Sequence, residues 1–341
     1  MAKKRITSQD VADLANVSRT TVSLVLNNVA GANIPQSTRE KVYLAVQELG
    51  YVPNASARAL ASQQARAIGL VMTRSPAHIA SDAFLPKIIA GLLEEIKEQQ
   101  FRLLIEIVED DHHDAYVKLS QAKHIDGMII LTPNVADNRI KQLQKLGIPT
   151  VLFGALPGHD LPFVQIDNQG AAKTATQHLL DLGHKEIAFI TNAHPSYSSA
   201  QDRLVGYQDA LREAGVPIDE ELIEYGDFSP GSGFAAMQKI LKKGKPFTAV
   251  FVASDNVALG VKSALSKAGL YIPDDVSMVG FDDLPWSAYT NPPLTTIQLP
   301  AHEMAAQASQ LLLDIIQGNE VEEKGIILDT ELIIRQSCRS L

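Results

Sequence analysis

The 341-residue sequence predicts a small helical head followed by a two-lobed α/β body built on parallel sheets. Three observations carry this. Residues 8–50 place apolar side chains at helical spacing, interrupted by caps and short turns. From Ala67 onward, apolar strands alternate with amphipathic helices, the pattern of parallel sheets covered on both faces. The alternating stretch is also about 270 residues long, too long for one doubly wound core. Two similar lobes, with a cleft at the carboxyl ends of their strands, satisfy that length.

Within the head, Thr7-Ser8-Gln9-Asp10 can cap a helix whose apolar positions are Val11, Leu14 and Ala15. Asn16-Val17-Ser18 is a three-residue turn, and Ser18 is a good N-cap for a second helix from Arg19. On that helix Val22, Val25 and Leu26 form an apolar stripe. Arg19, Thr20, Ser23, Leu24 and Asn27 fall on the other side. A small polar face with one Arg suits the major groove of B-DNA; a plain helical hairpin in a small bundle would share these features. Ser37-Thr38-Arg39-Glu40 predicts a capping box for a third helix, stopped by Gly50. After Tyr51-Val52-Pro53, Asn54 can cap a short alanine-rich helix over 55–61, stable only against a second copy or DNA.

In the body, strands are predicted at 68–73, 102–108, 127–131, 150–153, 163–166, 186–191, 222–225, 249–253 and 276–281. Helices are predicted at 84–99, 115–121, 136–146, 168–182, 200–214, 232–241 and 255–268. The tail adds a strand at 295–298, a helix at 301–316 and one last strand at 326–334.

Charge separates the two parts. The chain carries −9 overall, yet residues 1–64 hold seven cations against four anions, a net +3 that leaves −12 on the rest. A basic head on an acidic body implies that only the head meets a polyanion. A single cysteine, Cys338, rules out an internal disulfide framework and suits a reducing cytoplasm. The basic N-terminus lacks the apolar core of a signal peptide, and no apolar run is long enough to span a bilayer.

Several motifs are weak. Gly231-Ser232-Gly233-Phe234-Ala235-Ala236 fits a dinucleotide pattern, but Pro230 precedes it and no acidic residue ends a following strand. Asp110-Asp111-His112-His113 reads as a solvated loop rather than a metal site, and no metal or cofactor is expected. No nucleophile elbow, P-loop or H-E-x-x-H is present, so no catalytic constellation is expected. Strand ends are more informative. Asp167, Asp255 and Asp282 follow apolar strands, Arg203 enters a helix, and Phe84 and Phe228 lie in loops after strands. Carboxylates and an Arg can fix hydroxyl groups while aromatic rings stack on a sugar or base. For Asp255 and Asp167, helix capping is the competing role.

With these residues in view, the whole chain resembles the lactose and galactose repressor (LacI/GalR) family of bacterial transcription regulators. The resemblance rests on Asp10-Val11-Ala12…Val17-Ser18…Thr21-Val22-Ser23…Leu26-Asn27, Thr38-Arg39-Glu40-Lys41-Val42 and Gly50-Tyr51-Val52-Pro53-Asn54…Ala57-Arg58…Leu60. It continues with Asp167-Asn168…Gly170, Arg203…Gly206-Tyr207, Asp255-Asn256, Val279-Gly280-Phe281-Asp282-Asp283 and Pro292-Pro293-Leu294-Thr295-Thr296. It implies a helix-turn-helix head, a hinge helix, and a body like the periplasmic sugar-binding proteins with an effector in the cleft. Arg19 and Thr20 are then the base readers, with Leu24 a turn on, and Thr21 and Ser23 contact phosphates. Thr7, Ser18, Asn27, Tyr51, Asn54, Ala57 and Arg58 complete the DNA set, and Leu60 wedges the minor groove. Arg203 and Asp282 clamp the effector, Phe228 stacks, Phe84 lines the opposite lobe, and Asp82, Ser254 and Asp255 complete the pocket.

The sequence also departs from the pattern. Leu24 stands where the family often has Arg, so the usual guanine contact is absent. Asn16 replaces a turn Gly, and Gly154 lies where a pocket Asp often sits. The family's C-terminal heptad helix is missing, which predicts a dimer.

The expectation is therefore a helix-turn-helix head (1–50), a hinge and linker (51–65) and an effector-binding and dimerisation domain (66–341). Its first lobe takes about 66–162 and 297–322, its second about 163–294 and 323–341. The expected function is a cytoplasmic homodimeric repressor on palindromic double-stranded DNA, not an enzyme, controlled by a small effector, foremost a sugar. A nucleobase or nucleoside effector is the alternative, and a solute-binding protein for transport is a weaker one. Trp286, the lone tryptophan, is expected to report effector binding.

Overall fold

A computed structural model describes residues 6–27, 31–52, 64–73, 76–108 and 114–341. The hinge residues Asn54, Ala57, Arg58 and Leu60 and the Asp110–His113 run lie outside them. The chain divides into two compact units, residues 1–65 and 66–341.

The first unit holds α1 (Ser8–Ala15), α2 (Arg19–Leu26) and α3 (Gln36–Leu49). Thr7 accepts from the Asp10 amide while Asp10 accepts from the Thr7 amide, so two orphan donors of the first turn are satisfied. Asn16 ends α1 in the left-handed region at φ 52°, a conformation Asn tolerates better than most residues. Ser18 caps α2 by accepting from the Thr21 amide at 3.0 Å. Val11, Ala12, Val22, Val25 and Val42 bury almost completely in a shared core, whereas Leu14 stays exposed. The capping box expected at Ser37 does not form. Pro35 opens the helix instead, its carbonyl accepting from the Thr38 and Arg39 amides. Its φ of −57° already suits helix entry, so the turn needs no side-chain cap.

The second unit has two six-stranded sheets, each with one lobe. The first lobe supplies β1 (Ala67–Met72), α4 (Pro76–Ser81), α5 (Leu85–Glu98), β2 (Arg102–Ile107), α6 (Ala115–Gln121), β3 (Gly127–Leu131), α7 (Ile140–Lys145), β4 (Thr150–Phe153) and β5 (Phe163–Ile166). The second supplies α8 (Asn168–Asp181), β6 (Ile187–Ile190), α9 (Ser198–Glu213), β7 (Ile223–Glu224), α10 (Pro230–Lys243), β8 (Ala249–Val252), α11 (Asp255–Lys267), β9 (Ser277–Asp282) and β10 (Thr295–Gln298). Then α12 (Ala301–Gln317) and β11 (Gly325–Leu328) return to the first lobe, and β12 (Glu331–Ile333) ends in the second. Strand order is β11-β5-β4-β3-β1-β2 in one sheet and β12-β10-β9-β8-β6-β7 in the other. All pairings are parallel except β10 with β12.

Several expectations are corrected. Residues 163–166 pair with β4 and β11, so the first crossing comes at Asp167, not before Phe163. The second crossing follows Gln298, which pairs with β9 of the second sheet, so residues 297–298 do not belong to the first lobe. The expected last strand is two strands in different sheets, divided at Asp329-Thr330, and this is the third crossing. Parallel strands in both lobes are equally apolar, so their sequence does not say which sheet receives them. The helix expected from Ala136 begins only at Ile140, because Asp137 folds back to accept from the Arg139 amide and guanidinium. The 222–225 strand shrinks to two residues after a 3-10 turn. The short helix α4 had no counterpart in the sequence pattern.

The Gly-rich run serves helix packing. Ser229 caps α10, and Gly233 lets it approach the Val257 carbonyl of α11, where any Cβ would collide. Among the described residues no helix is long and apolar enough to cross a membrane.

Candidate functional site

Two surfaces carry the sequence-predicted residues. The first is α2. Its stripe of Val22 and Val25 is buried against α1 and α3, which turns Arg19, Thr20, Ser23 and Asn27 outward and exposed. Leu24 is half-buried on the same helix. The Ser18 and Thr21 hydroxyls lie 2.9 Å apart, and the Asn27 amide donates to the Ser23 hydroxyl at 3.2 Å. Tyr51 packs on the head core and Thr7 caps α1, so both also have structural work. This short, two-faced helix can present one guanidinium and several hydroxyls to an edge of nucleic acid.

The second surface is a cavity between the two lobes, about 740 Å³ with its mouth included. Its floor is built by strand ends and the helices that follow them, where open parallel sheets bind ligands. Arg203 of α9 is 4% exposed, and its Nε donates to Asn168 Oδ1 at 2.9 Å. Its Nη1 donates to the Ala253 carbonyl at 2.7 Å and sits 3.8 Å from Asp282 Oδ1. The guanidinium lies 3.7 Å over the Phe281 ring. Nη2 makes no hydrogen bond to the described residues. Burial lowers the Arg203 pKa to about 10, against the pull of Asp282, Asp202 and Asp255.

Asp282 is 7% exposed and accepts from the Ser254 hydroxyl at 3.0 Å. Burial pushes its carboxyl up to about 7, although Arg203 pulls it down. Its backbone sits at φ 113° and that of Asp283 at 46°, two successive residues in the region that side chains disfavour. Phe228 also has positive φ, at 56°, held by its amide on the Asn192 carbonyl and its carbonyl on the Asn256 amide. Two of these three strained residues, Phe228 and Asp282, line the cavity.

Asp82, Phe84, Arg203, Phe228, Ser254 and Asp282 line the cavity together. Asp82 accepts from the Phe84 amide at 2.8 Å, which fixes the loop entering α5. Asp255 is not among the lining residues. Its carboxylate turns into the second lobe and accepts from the Leu284 amide and the Ser287 and Thr296 hydroxyls. Burial raises its pKa to about 6. Its side chain makes no cap on α11 but holds the loop behind Asp282. Asp167 caps α8 by accepting from the Gly170 amide at 2.8 Å. Trp286 lies in a separate small pocket with Leu259, Lys262 and Pro292, and is not among the residues lining the cavity.

Sequence reasoning missed Asn192. It is 4% exposed, lines the cavity, and its Oδ1 has no hydrogen-bond partner among the described residues. A buried acceptor without a donor is costly, which singles Asn192 out among the lining residues. A lone Asn after a strand carries no sequence signal. Gly154 lines the opposite wall at φ 104°, where a side chain would be strained.

The lobes are closed on each other. Lys87 Nζ of α5 donates to the Asp283 carbonyl at 2.6 Å, and the Asn256 amide donates to the Ser81 carbonyl at 2.9 Å. The Ser198 hydroxyl donates to the Ala155 carbonyl at 2.8 Å, and the Val135 amide to the Ser196 carbonyl at 2.8 Å. His78 and Asp227 lie 2.9 Å apart across the mouth.

A two-faced helix-turn-helix joined to a two-lobed binding domain defines a DNA-binding transcription regulator with a ligand-sensing body. Residues 7–54 match the model of bacterial regulatory proteins of the lacI family, and residues 176–338 match a periplasmic binding protein-like domain. The chain belongs to the LacI family. It is 34% identical to the HTH-type transcriptional regulator CelR of Thermobifida fusca, over 98% of this chain and 99% of that protein. It is 36% identical to the HTH-type transcriptional repressor CytR of Escherichia coli K12, over 100% of this chain and 99% of that one. Among solved structures, the lac repressor dimer bound to operator and the anti-inducer ONPF matches with TM-score 0.86 and 30% identity, over 99% of this chain and all of that one. A complex of CelR with cellobiose matches with TM-score 0.75 and 33% identity, over 98% of this chain and all of that one.

Proposed function

We propose that the chain is a cytoplasmic, non-enzymatic repressor that binds a palindromic operator as a homodimer and responds to a sugar or sugar-derived effector in the interlobe cavity. The observation that carries the effector half is the buried Arg203–Asp282 pair beside the unpaired Asn192 acceptor. Donors and acceptors gathered on one wall of the cavity suit a hydroxyl-bearing ligand, and Phe228 offers a ring for stacking. The CelR complex with cellobiose supports a carbohydrate ligand by analogy. A nucleobase or nucleoside is the second reading, favoured by the apolar side chains of the first lobe.

On the DNA side, Arg19 and Thr20 read bases, Thr21 and Ser23 meet phosphates, and Leu24 contacts a thymine methyl. Thr7, Ser18, Asn27 and Tyr51 support the backbone contacts. The hinge set Asn54, Ala57, Arg58 and Leu60 is assigned by resemblance, with Leu60 as the minor-groove wedge. An exposed reading helix sets the chain apart from a solute carrier for transport. The effector binds one lobe arrangement better than the other and DNA does likewise, so each shifts the affinity of the other.

The test is a thermal-shift screen of mono- and disaccharides, nucleosides and nucleobases, followed by titration of the hit against Arg203→Ala. A hit lost in that variant supports the reading. A hit that binds the variant equally well removes the cavity from the account.

A further inference from the structure

The first lobe carries a basic stripe at the end of its sheet away from the cavity. Ala67 pairs with Arg102, Ile68 with Gly127 and Met128 with Thr150. The Arg102 amide donates to the Arg66 carbonyl at 3.0 Å, the Asp126 amide to the Ala67 carbonyl at 2.8 Å and the Met128 amide to the Pro149 carbonyl at 3.0 Å. The N-terminal ends of β2, β1, β3 and β4, neighbours in that order, therefore form one edge. At it lie Arg66, Lys97 near the end of α5, Arg102, Lys123 and His124 after α6, and Lys145 ending α7, all exposed. Five cations and His124 stand against Glu98 and Asp126, a net +3 in a body that carries −12. Asp126 is tied back, accepting from the Ala67 amide at 3.2 Å. Arg66, Lys97, Lys123 and Lys145 make no ion pair among the described residues. The segments entering β5 and β11 are acidic instead, with Asp160, Glu320, Glu322 and Glu323, so the stripe stops at four strands. Cations grouped without carboxylates repel one another, and a polyanion relieves that repulsion.

We propose that the stripe is a second DNA-binding surface, which takes the phosphate backbone of the duplex whose bases α2 reads. This rests on the reading of the head as the base-reading part. Strands in a sheet are about 4.8 Å apart, so four strand ends spread these cations over roughly 15 Å. That length matches about four successive phosphates of one DNA strand, at about 3.4 Å of axial rise each. Chain connection selects duplex DNA among polyanions. The body begins at Arg66, itself in the stripe. Residues 53–65 join it to the head and can span at most roughly 45 Å, even fully extended. A duplex held by α2 is thus tethered to the stripe's own end of the body. Phosphate contacts of this kind strengthen binding without sequence preference.

Fluorescence anisotropy of the full-length chain, at salt from about 50 to 200 mM, tests this. The duplexes are a palindrome from the protein's own upstream region and a scrambled duplex of equal length. Lys123→Gln with Lys145→Gln removes two charges from the stripe. Lys185→Gln with Lys242→Gln removes two exposed charges from the second lobe. The stripe pair should weaken both duplexes by about five- to tenfold and lessen the slope of log affinity against log salt by about 2. The second-lobe pair should change neither, and the palindrome-to-scrambled ratio should hold throughout. Glu98→Gln removes an anion from the stripe and should tighten both duplexes by about two- to threefold, a gain that a folding defect does not imitate. An unchanged slope in the stripe pair, an equal loss in the second-lobe pair, or a loss confined to the palindrome overturns the proposal, as does the absence of any gain in Glu98→Gln. If the wild type binds the palindrome and the stripe pair keeps its slope, the head reading stands while this surface falls. If the wild type binds neither duplex, both fall.

Discussion

Arg203 shows how single residues set this site. Its charge is buried, and it is stabilised by the Asn168 and Ala253 oxygens, the Phe281 face and the nearby Asp282 carboxylate. Removing it deletes the guanidinium donors facing the cavity and leaves the buried Asn168 and Ala253 oxygens without their donor. Arg203→Ala is therefore expected to erase the effector response while operator binding persists in a gel shift. An unchanged response would misplace the pocket. Asp282 adds a pH dependence. Its pKa near 7 means that it gains full negative charge only above neutrality. A ligand donating hydroxyls to the carboxylate should thus weaken as pH falls from 8 to 6, which titration calorimetry can read. Asp255 acts on stability instead. Its folded pKa of about 6 exceeds the unfolded value, so the folded state binds more protons between about pH 4 and 6. Its contribution is greatest below that window and is lost as pH rises through 6. The stability advantage of the wild type over Asp255→Asn should shrink across that range, on the order of 2–3 kcal/mol, in denaturant melts.

At the scale of elements, the alternation of strands and helices was legible because side-chain periodicity follows burial. Strands at Gly127–Leu131, Thr150–Phe153 and Thr295–Gln298 stand where the pattern places them. Sheet membership was not legible. Residues 163–166 read like any buried strand, and no Gly or Pro at Asp329-Thr330 announces the division of the tail. The direction of a side chain at a helix start was equally hidden, so Ser254 faces the cavity while adjacent Asp255 turns away. The turn between α1 and α2 was legible, since Asn16 suits its left-handed position. Asn16→Ala should cost the head about 1–2 kcal/mol, and Asn16→Gly should not, as read by amide exchange on α1 and α2. The contact of α5 with the Asp283 carbonyl was invisible in sequence. A hydrogen bond to a charged group is worth about 1.5–3 kcal/mol, so Lys87→Ala should weaken effector binding about tenfold or more. Unchanged affinity would show that this contact does not hold the closed lobes.

Across the whole molecule, charge and chemistry are divided by function. The cationic excess lies in residues 1–64 and the acidic excess in the remainder, which favours contact of a polyanion with the first part of the chain. The body offers a closed cleft whose lobes meet through a handful of hydrogen bonds, few enough for a ligand to bias. Coupling between cleft and DNA is reciprocal in free energy, so an effector that changes operator affinity must itself bind differently when operator is present. The most direct measurement is fluorescence anisotropy of the full-length chain on a palindrome from its own upstream region. It is run beside a scrambled duplex at fixed salt, with and without a ligand from the thermal-shift screen. The account predicts tighter binding to the palindrome, by about 10³-fold or more, and a shift of at least fivefold when ligand is added. Equal affinity for both duplexes, or a palindrome affinity indifferent to ligand, would contradict it.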